Sequence, residues 1–370
     1  MPSVSWGAFM NRLAIIVFCV CWTGSVTAGE DTPSSLAEGR QPRLASGENG
    51  NVYCVFGAGE DVFCARSTDG GATFSAPSKV ANHPGLMLGM RRGPRIAVTG
   101  DSVVVTAISS SDGNLVAWRS ADRGETWSAA ARVNDVERVC REGLHDMSAD
   151  SSGVIGVAWL DLRNRGTQLW SSFSKDGGVT WSENRLVYRS PDGSICECCH
   201  PTIASHDGHW SVLWRNSVAG NRDIYVSVSP EGTANFGDAT RLGDETWTLA
   251  ACPMDGGDLA AGSRGAWAVW RRDAVCYATD LDDPSHERRL GRGEQPTVAV
   301  TSAGPTFAWI AGRPGDLMLL SPREKQPRKI ADRARDPDLI SLPDGTVLCA
   351  YESIENDKAI VRVSRVPAAK

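Results

Sequence analysis

Apolar and polar residues alternate along this chain in short runs, and the runs come in pairs. Residues 52–56 answer 62–66, 103–108 answer 115–119, 156–160 answer 169–173, and 210–214 answer 224–228. The series continues as 266–270 with 275–279, 305–309 with 317–320, and 346–351 with 359–363. Gly, Asp and Asn fill the gaps, and two-residue periodicity bounded by such turn formers predicts antiparallel hairpins. Past the N-terminal region no window carries the period of an amphipathic helix. Ahead of each pair stands a short strand opening, mostly x-Pro-x-apolar-small, beginning at Gln41, Gly93, His145, His200, Cys252, Gln295 and Asp336.

This repetition predicts an all-β fold, a β-propeller of four-stranded antiparallel blades. Seven openings predict seven blades. The spacing of the openings shrinks from 52–55 residues to 41–43 in the last two units, which leaves six blades and an irregular hairpin as the alternative. The last unit ends after its third strand, so residues 35–39 are expected to supply the fourth and close the ring.

Three turns share the form Ser-x-Asp-x-Gly-x-Thr-aromatic, starting at Ser67, Ser120 and Ser174. Asp69, Asp122 and Asp176 can accept hydrogen bonds from their own following turn, and the glycine takes a backbone conformation closed to other residues. The motif resembles the Asp box of the sialidase-like (BNR-repeat) superfamily. As a hairpin staple it belongs to the fold, and no residue of it is assigned to chemistry.

The first 28 residues differ from the rest. Arg12 precedes an apolar run over 13–21, and Val26, Thr27 and Ala28 offer small residues before Gly29. That is a signal-peptide layout, too short to span a membrane as a helix. The chain is therefore read as a signal peptide over 1–28 and one propeller domain over 29–370, exported to the periplasm or the extracellular space, with no transmembrane segment once processed. A formal charge of −6, one unit more negative after loss of Arg12, argues against nucleic acid and anionic membrane as partners. A small molecule or glycan is the expected ligand, and the chain is read as a monomer.

Of eleven cysteines, nine lie beyond Cys19 and Cys21, an odd number for an oxidising compartment. Cys54 and Cys64 mirror one another across a turn, as a cross-strand bridge or an apolar pair. Cys276 and Cys349 sit within apolar strands and read as core. The others gather in consecutive inter-blade loops: Cys140 ahead of His145, then Cys196, Cys198, Cys199 and His200, then Cys252 and Met254. Thiol, imidazole and thioether groups at neighbouring openings would converge on the channel mouth, and soft ligands so gathered select copper or zinc. The alternative pairs Cys198 or Cys199 with Cys140 or Cys252 as disulfides. Cys196, Cys199 and His200 also satisfy the Cys-x-x-Cys-His attachment pattern of haem c.

Resemblance to sialidases implies an arginine cluster for a carboxylate, a tyrosine nucleophile with a glutamate partner, and a further aspartate. On the expected loop face the chain offers Arg95, Arg163 and Arg215, with Asp161 beside Arg163. Tyr351 with Glu352 is the nucleophile pair, drawn from only five tyrosines. The arginine-isoleucine-proline signature is missing, since at Arg95 the proline comes first. Three functions follow: a propeller with a metal or redox site, a glycoside hydrolase of exo-sialidase type, or a non-catalytic glycan- or protein-binding propeller.

Overall fold

The computed structural model describes residues 1–3, 32–47 and 50–368; the signal-peptide reading falls almost wholly outside them. The described chain is strand and turn throughout. No helix among the described residues is long and apolar enough to cross a membrane.

Five four-stranded antiparallel sheets follow one another in sequence, each strand pairing with the next. A sixth sheet has seven strands, and it is two such units fused. The fusion lies in the long strand Arg328–Ser341. Its first half pairs with Gly315–Leu320 through Ala331 opposite Leu317, and its second half with Val347–Glu355 through Leu339 opposite Cys349. The N-terminal strand Ser34–Glu38 then pairs with the last strand, Lys358–Val366, through Ser34 opposite Val363. Residues from both ends of the chain thus share one sheet, and no open edge is left at that seam.

The first strand of every unit lines a common axis around a cavity of about 300 Å³. Between neighbouring sheets lie the apolar clusters, such as Tyr53, Val55 and Val62 of one unit against Ile96, Val103 and Val105 of the next. Strand alternation sends one face of each sheet into each cluster. It also overturns the cross-strand reading of the first cysteine pair. Cys54 stands opposite Ala65 and Cys64 opposite Val55, so the two side chains leave opposite faces and enter different clusters.

Each Asp box is held by hydrogen bonds to its Asp carboxylate and its Ser hydroxyl. The Asp122 carboxylate accepts from Thr126 N (2.9 Å), Thr126 Oγ1 (2.6 Å) and Ser120 Oγ (2.7 Å), which pulls its pKa down to about 2. In the third box Gly178 lies at φ 86° against Val104 of the preceding sheet, where a Cβ would come within 2.6 Å.

A second set of bonds stitches the inner strands to one another. Asp146 accepts from Ile203 N at 3.0 Å, Asp258 from Val298 N at 3.0 Å and Asp338 from Leu44 N at 2.7 Å. Thr202 Oγ1 donates to Gly257 O at 3.0 Å, and Leu339 N to Thr297 Oγ1 at 3.3 Å. Arg43 closes on Asp338 at 2.6 Å and Arg95 on Asp146 at 3.3 Å.

Asp338→Ala leaves the half-buried Arg43 guanidinium without its carboxylate and Leu44 N without its acceptor, so it is expected to cost about 2–3 kcal/mol in urea unfolding. Asp122→Ala is expected to lower Tm at neutral pH by a smaller amount. Because the folded pKa of Asp122 is depressed, that difference should shrink as pH falls from about 4 towards 2.

Candidate functional site

The loop joining Arg185–Tyr188 to the inner strand Thr202–His206 carries the cysteine cluster. It is fixed at several backbone points. Ile195 N donates to Thr167 O (3.0 Å), and Thr167 N donates back to Ser194 Oγ (3.0 Å). Cys196 N donates to Arg215 O (3.1 Å). With Ile195 buried behind them, Cys196, Cys198 and Cys199 turn their thiols onto one another at 1, 8 and 1% exposure. Cys196 Sγ lies 3.6 Å from Cys198 Sγ and 3.4 Å from Cys199 Sγ. All three sulfurs fall within 4.8 Å of one another.

Arg215 brings the next loop alongside. Its guanidinium donates to Asp255 O (3.2 Å), Arg271 O (2.8 Å) and Arg222 O, while its own carbonyl holds Cys196. One residue therefore ties the cysteine loop to the segment carrying Cys252 and Met254. Met254 packs on the three thiols. Cys252 is exposed and stands outside the group of three sulfurs; its interaction with Cys198, and burial, raise its pKa to about 11. The contacts of Cys198 and Cys199 with Cys196 favour the Cys196 thiolate, while burial pushes Cys199 upward.

The histidines expected beside these thiols lie apart from them. His145 Nε2 is 3.0 Å from Thr106 Oγ1, and the ring is held neutral by burial and by Arg95 and Arg43. His200 turns its ring to Gly256 and Gly257, near Arg91. Neither joins the sulfur group, which is all-thiol. Cys140 is buried in an apolar cluster with Val139, Met147 and Trp159. Cys276 and Cys349 are core residues, both fully buried.

The carboxylate-binding candidates are also dispersed. Arg95 spends its guanidinium on the carbonyls of Arg91, Gly93 and Pro94, and burial lowers its pKa to about 9. Its neighbour Asp146 is raised by burial to about 6. Arg163 is clamped by Asp161 at 3.0 Å and Asp135 at 2.9 Å and lies 3.7 Å from the centre of the Trp170 ring. Arg215 is the loop tie already described. Tyr351 and Glu352 are adjacent in a strand and so face opposite ways. Tyr351 is packed among Ala334, Leu339 and Cys349, and Glu352 accepts from Gln41 N at 2.9 Å.

Two features of the mouth were missed from sequence. Arg91, from the loop before the second inner strand, crosses to donate to Pro296 O (3.2 Å) and Pro337 O (3.1 Å). The opening residues Gln41, Gln295 and Asp336 sit at φ 57°, 54° and 47°. Asp255 accepts from Gln295 N, and Gln295 Oε1 from Asp336 N, at 2.8 and 2.9 Å. The x-Pro repeat was the visible trace of this ring of bonds.

Residues 98–261 match the family model of the BNR repeat-like domain. Over that stretch the chain is similar to BNR-repeat proteins. A xyloglucanase from Paenibacillus sp. is 24% identical over 169 residues, which are 41% of this chain and 16% of the length of that enzyme. Among solved structures, a protein of unknown function from Dyadobacter fermentans aligns with a TM-score of 0.56 at 11% identity, covering 92% of this chain and 99% of the other. A sialidase mutant of Trypanosoma rangeli with trans-sialidase activity aligns at 0.51 and 13% identity, covering 90% of this chain and 54% of its own. A puromycin-hydrolysing peptidase of Mycobacterium tuberculosis aligns at 0.52 and 12%, with coverages of 89% and 54%. At these identities the likeness is one of fold.

Burial and the nearby Asp336 push Glu352 up to about 7. A raised carboxylate pKa means stability present at pH 4.5 and lost as pH climbs to 7. Glu352→Gln is expected to remove this loss, gaining up to about 3 kcal/mol on wild type across that interval in pH-resolved denaturation. In native protein, brief iodoacetamide treatment should label Cys252 ahead of the eight buried cysteines, as read by peptide mass spectrometry.

Proposed function

We propose that this chain is an exported seven-bladed propeller whose mouth holds a soft transition-metal ion on Cys196, Cys198 and Cys199. The reading includes a signal peptide over 1–28 and a single domain over 29–370. The observation that carries it is the packing of three buried sulfurs within 4.8 Å of one another. A tetrahedral thiolate site with metal–sulfur bonds near 2.3 Å has sulfur–sulfur edges of about 3.8 Å. Edges of 3.4 and 3.6 Å need open by only a few tenths of an ångström to accept an ion. Zinc and copper(I) both suit thiolates; a methionine, Met254, packed against the group favours copper(I).

The alternatives have weaker support. Haem attachment would need Cys196 and Cys199 to part from buried contact and His200 to leave Gly256. A sialidase mechanism would need Arg95, Arg163 and Arg215 to abandon the partners that now occupy them. A glycan or small molecule bound without hydrolysis is compatible with the metal reading.

Elemental analysis of protein exported in its native compartment and purified without a tag or chelator is expected to give near one copper or zinc per chain. Cys196→Ser with Cys199→Ser should abolish it, while Asp161→Asn should not. N-terminal sequencing should begin near Gly29. Metal-free wild-type protein with a disulfide among the three cysteines would overturn the reading.

A further inference from the structure

The sulfur site is asymmetric. Three thiols are buried, and one face of the group is covered by the 252–254 segment, where Cys252 is exposed and Met254 half-buried. That segment is held in place: Pro253 O accepts from Arg271 Nη2 at 3.3 Å, and Asp255 O from Arg215 Nε at 3.2 Å. Cys252 thus stands on the solvent side of the sulfur group, outside it, on a segment braced at Pro253 and Asp255, while Cys198 is the least buried of the three inside. A structural ion is enclosed by all its ligands, whereas an ion that is exchanged needs a donor atom reachable from outside while the others hold on.

Resting on the metal reading above, we propose that Cys252 is the exchange ligand of this site, the thiol through which copper(I) enters from a soft donor and passes to the buried three. The donor class is a copper(I) complex of a small thiol or of a thiol-bearing metal carrier. As the Cys252 sulfur–copper bond forms, its thiol proton goes to solvent and one donor thiolate departs and takes up a proton. Cys198, Cys196 and Cys199 then bind in turn, each releasing its proton, as the last donor thiolate and finally the Cys252 thiolate leave the copper and take up protons. Copper stays in the +1 state, so no oxidant or reductant is consumed.

The test is the rate at which metal-free, processed full-length protein takes copper(I) from its bis-bicinchoninate complex, followed by loss of that complex's absorbance under anaerobic reducing conditions. Cys252→Ser is expected to slow loading roughly tenfold or more while the final copper content matches wild type. Cys252→Met keeps a soft donor and should retain most of the rate. Cys196→Ser should lower the final content instead. Loading of Cys252→Ser at the wild-type rate would overturn the proposal. So would an equal loss of final content, which would make Cys252 an ordinary fourth ligand. Failure of wild type to load would sink the metal reading itself, and with it this proposal, in an arm of its own.

Discussion

Everything in this molecule depends on buried polar groups finding partners in the neighbouring sheet. A propeller places the openings of its inner strands around a narrow axis, where backbone amides would be stranded away from water. Asp146, Asp258 and Asp338 answer this by reaching across to the next inner strand. The cost is a set of carboxylates and guanidiniums inside the ring, with Asp146 pushed towards neutrality and Arg95 below its usual range. Their worth is in fixing angles between sheets, which apolar packing alone leaves free to slide.

The same constraint explains why the arginines do not form a carboxylate-binding cluster. Arg91 and Arg215 terminate on backbone carbonyls of other loops, and Arg95 on those of the loop just before it. A guanidinium has five N–H donors in a fixed plane, so it can gather several carbonyls at once. In this chain that capacity is spent on holding loops together. The thiol cluster is a product of such bracing, since Arg215 anchors the loops on both sides of it.

The fold was legible in the sequence because its determinants are periodic and local. Two-residue alternation, the Asp boxes and the strand openings each report a contact made within a few residues or repeated from unit to unit. The strand at residues 35–39 could be assigned to the last sheet from the missing fourth strand there, and Ser34–Glu38 occupies that place. The site was legible only in part. Cys196, Cys198 and Cys199 come together because they are near in sequence, whereas Cys252, read as a strand opening, lies four residues before the equivalent position at Gly256 and is kept nearby by the Arg215 bond to Asp255. The bonds between inner strands align Asp146 with Thr202 and Asp258, so His200 corresponds to Leu144 and Gly256 and not to His145, and the imidazoles of His200 and His145 turn to Gly256 and Thr106. Side-chain direction within an irregular loop depends on neighbours such as Thr106 and Gly256, which no motif announces. The bracing role of Arg91 is hidden for the same reason, since its partners lie more than two hundred residues away.

The seam between Ser34–Glu38 and Lys358–Val366 sets an order of events for the growing chain. The earliest-made strand of the described domain must wait for the latest-made one, so the ring cannot shut until residues up to Val366 have emerged. Until then an unpaired sheet edge stays open at each end, a sticky intermediate of the kind that chaperones guard. Removing either terminal strand would therefore recreate in the finished protein the vulnerability of its own nascent form.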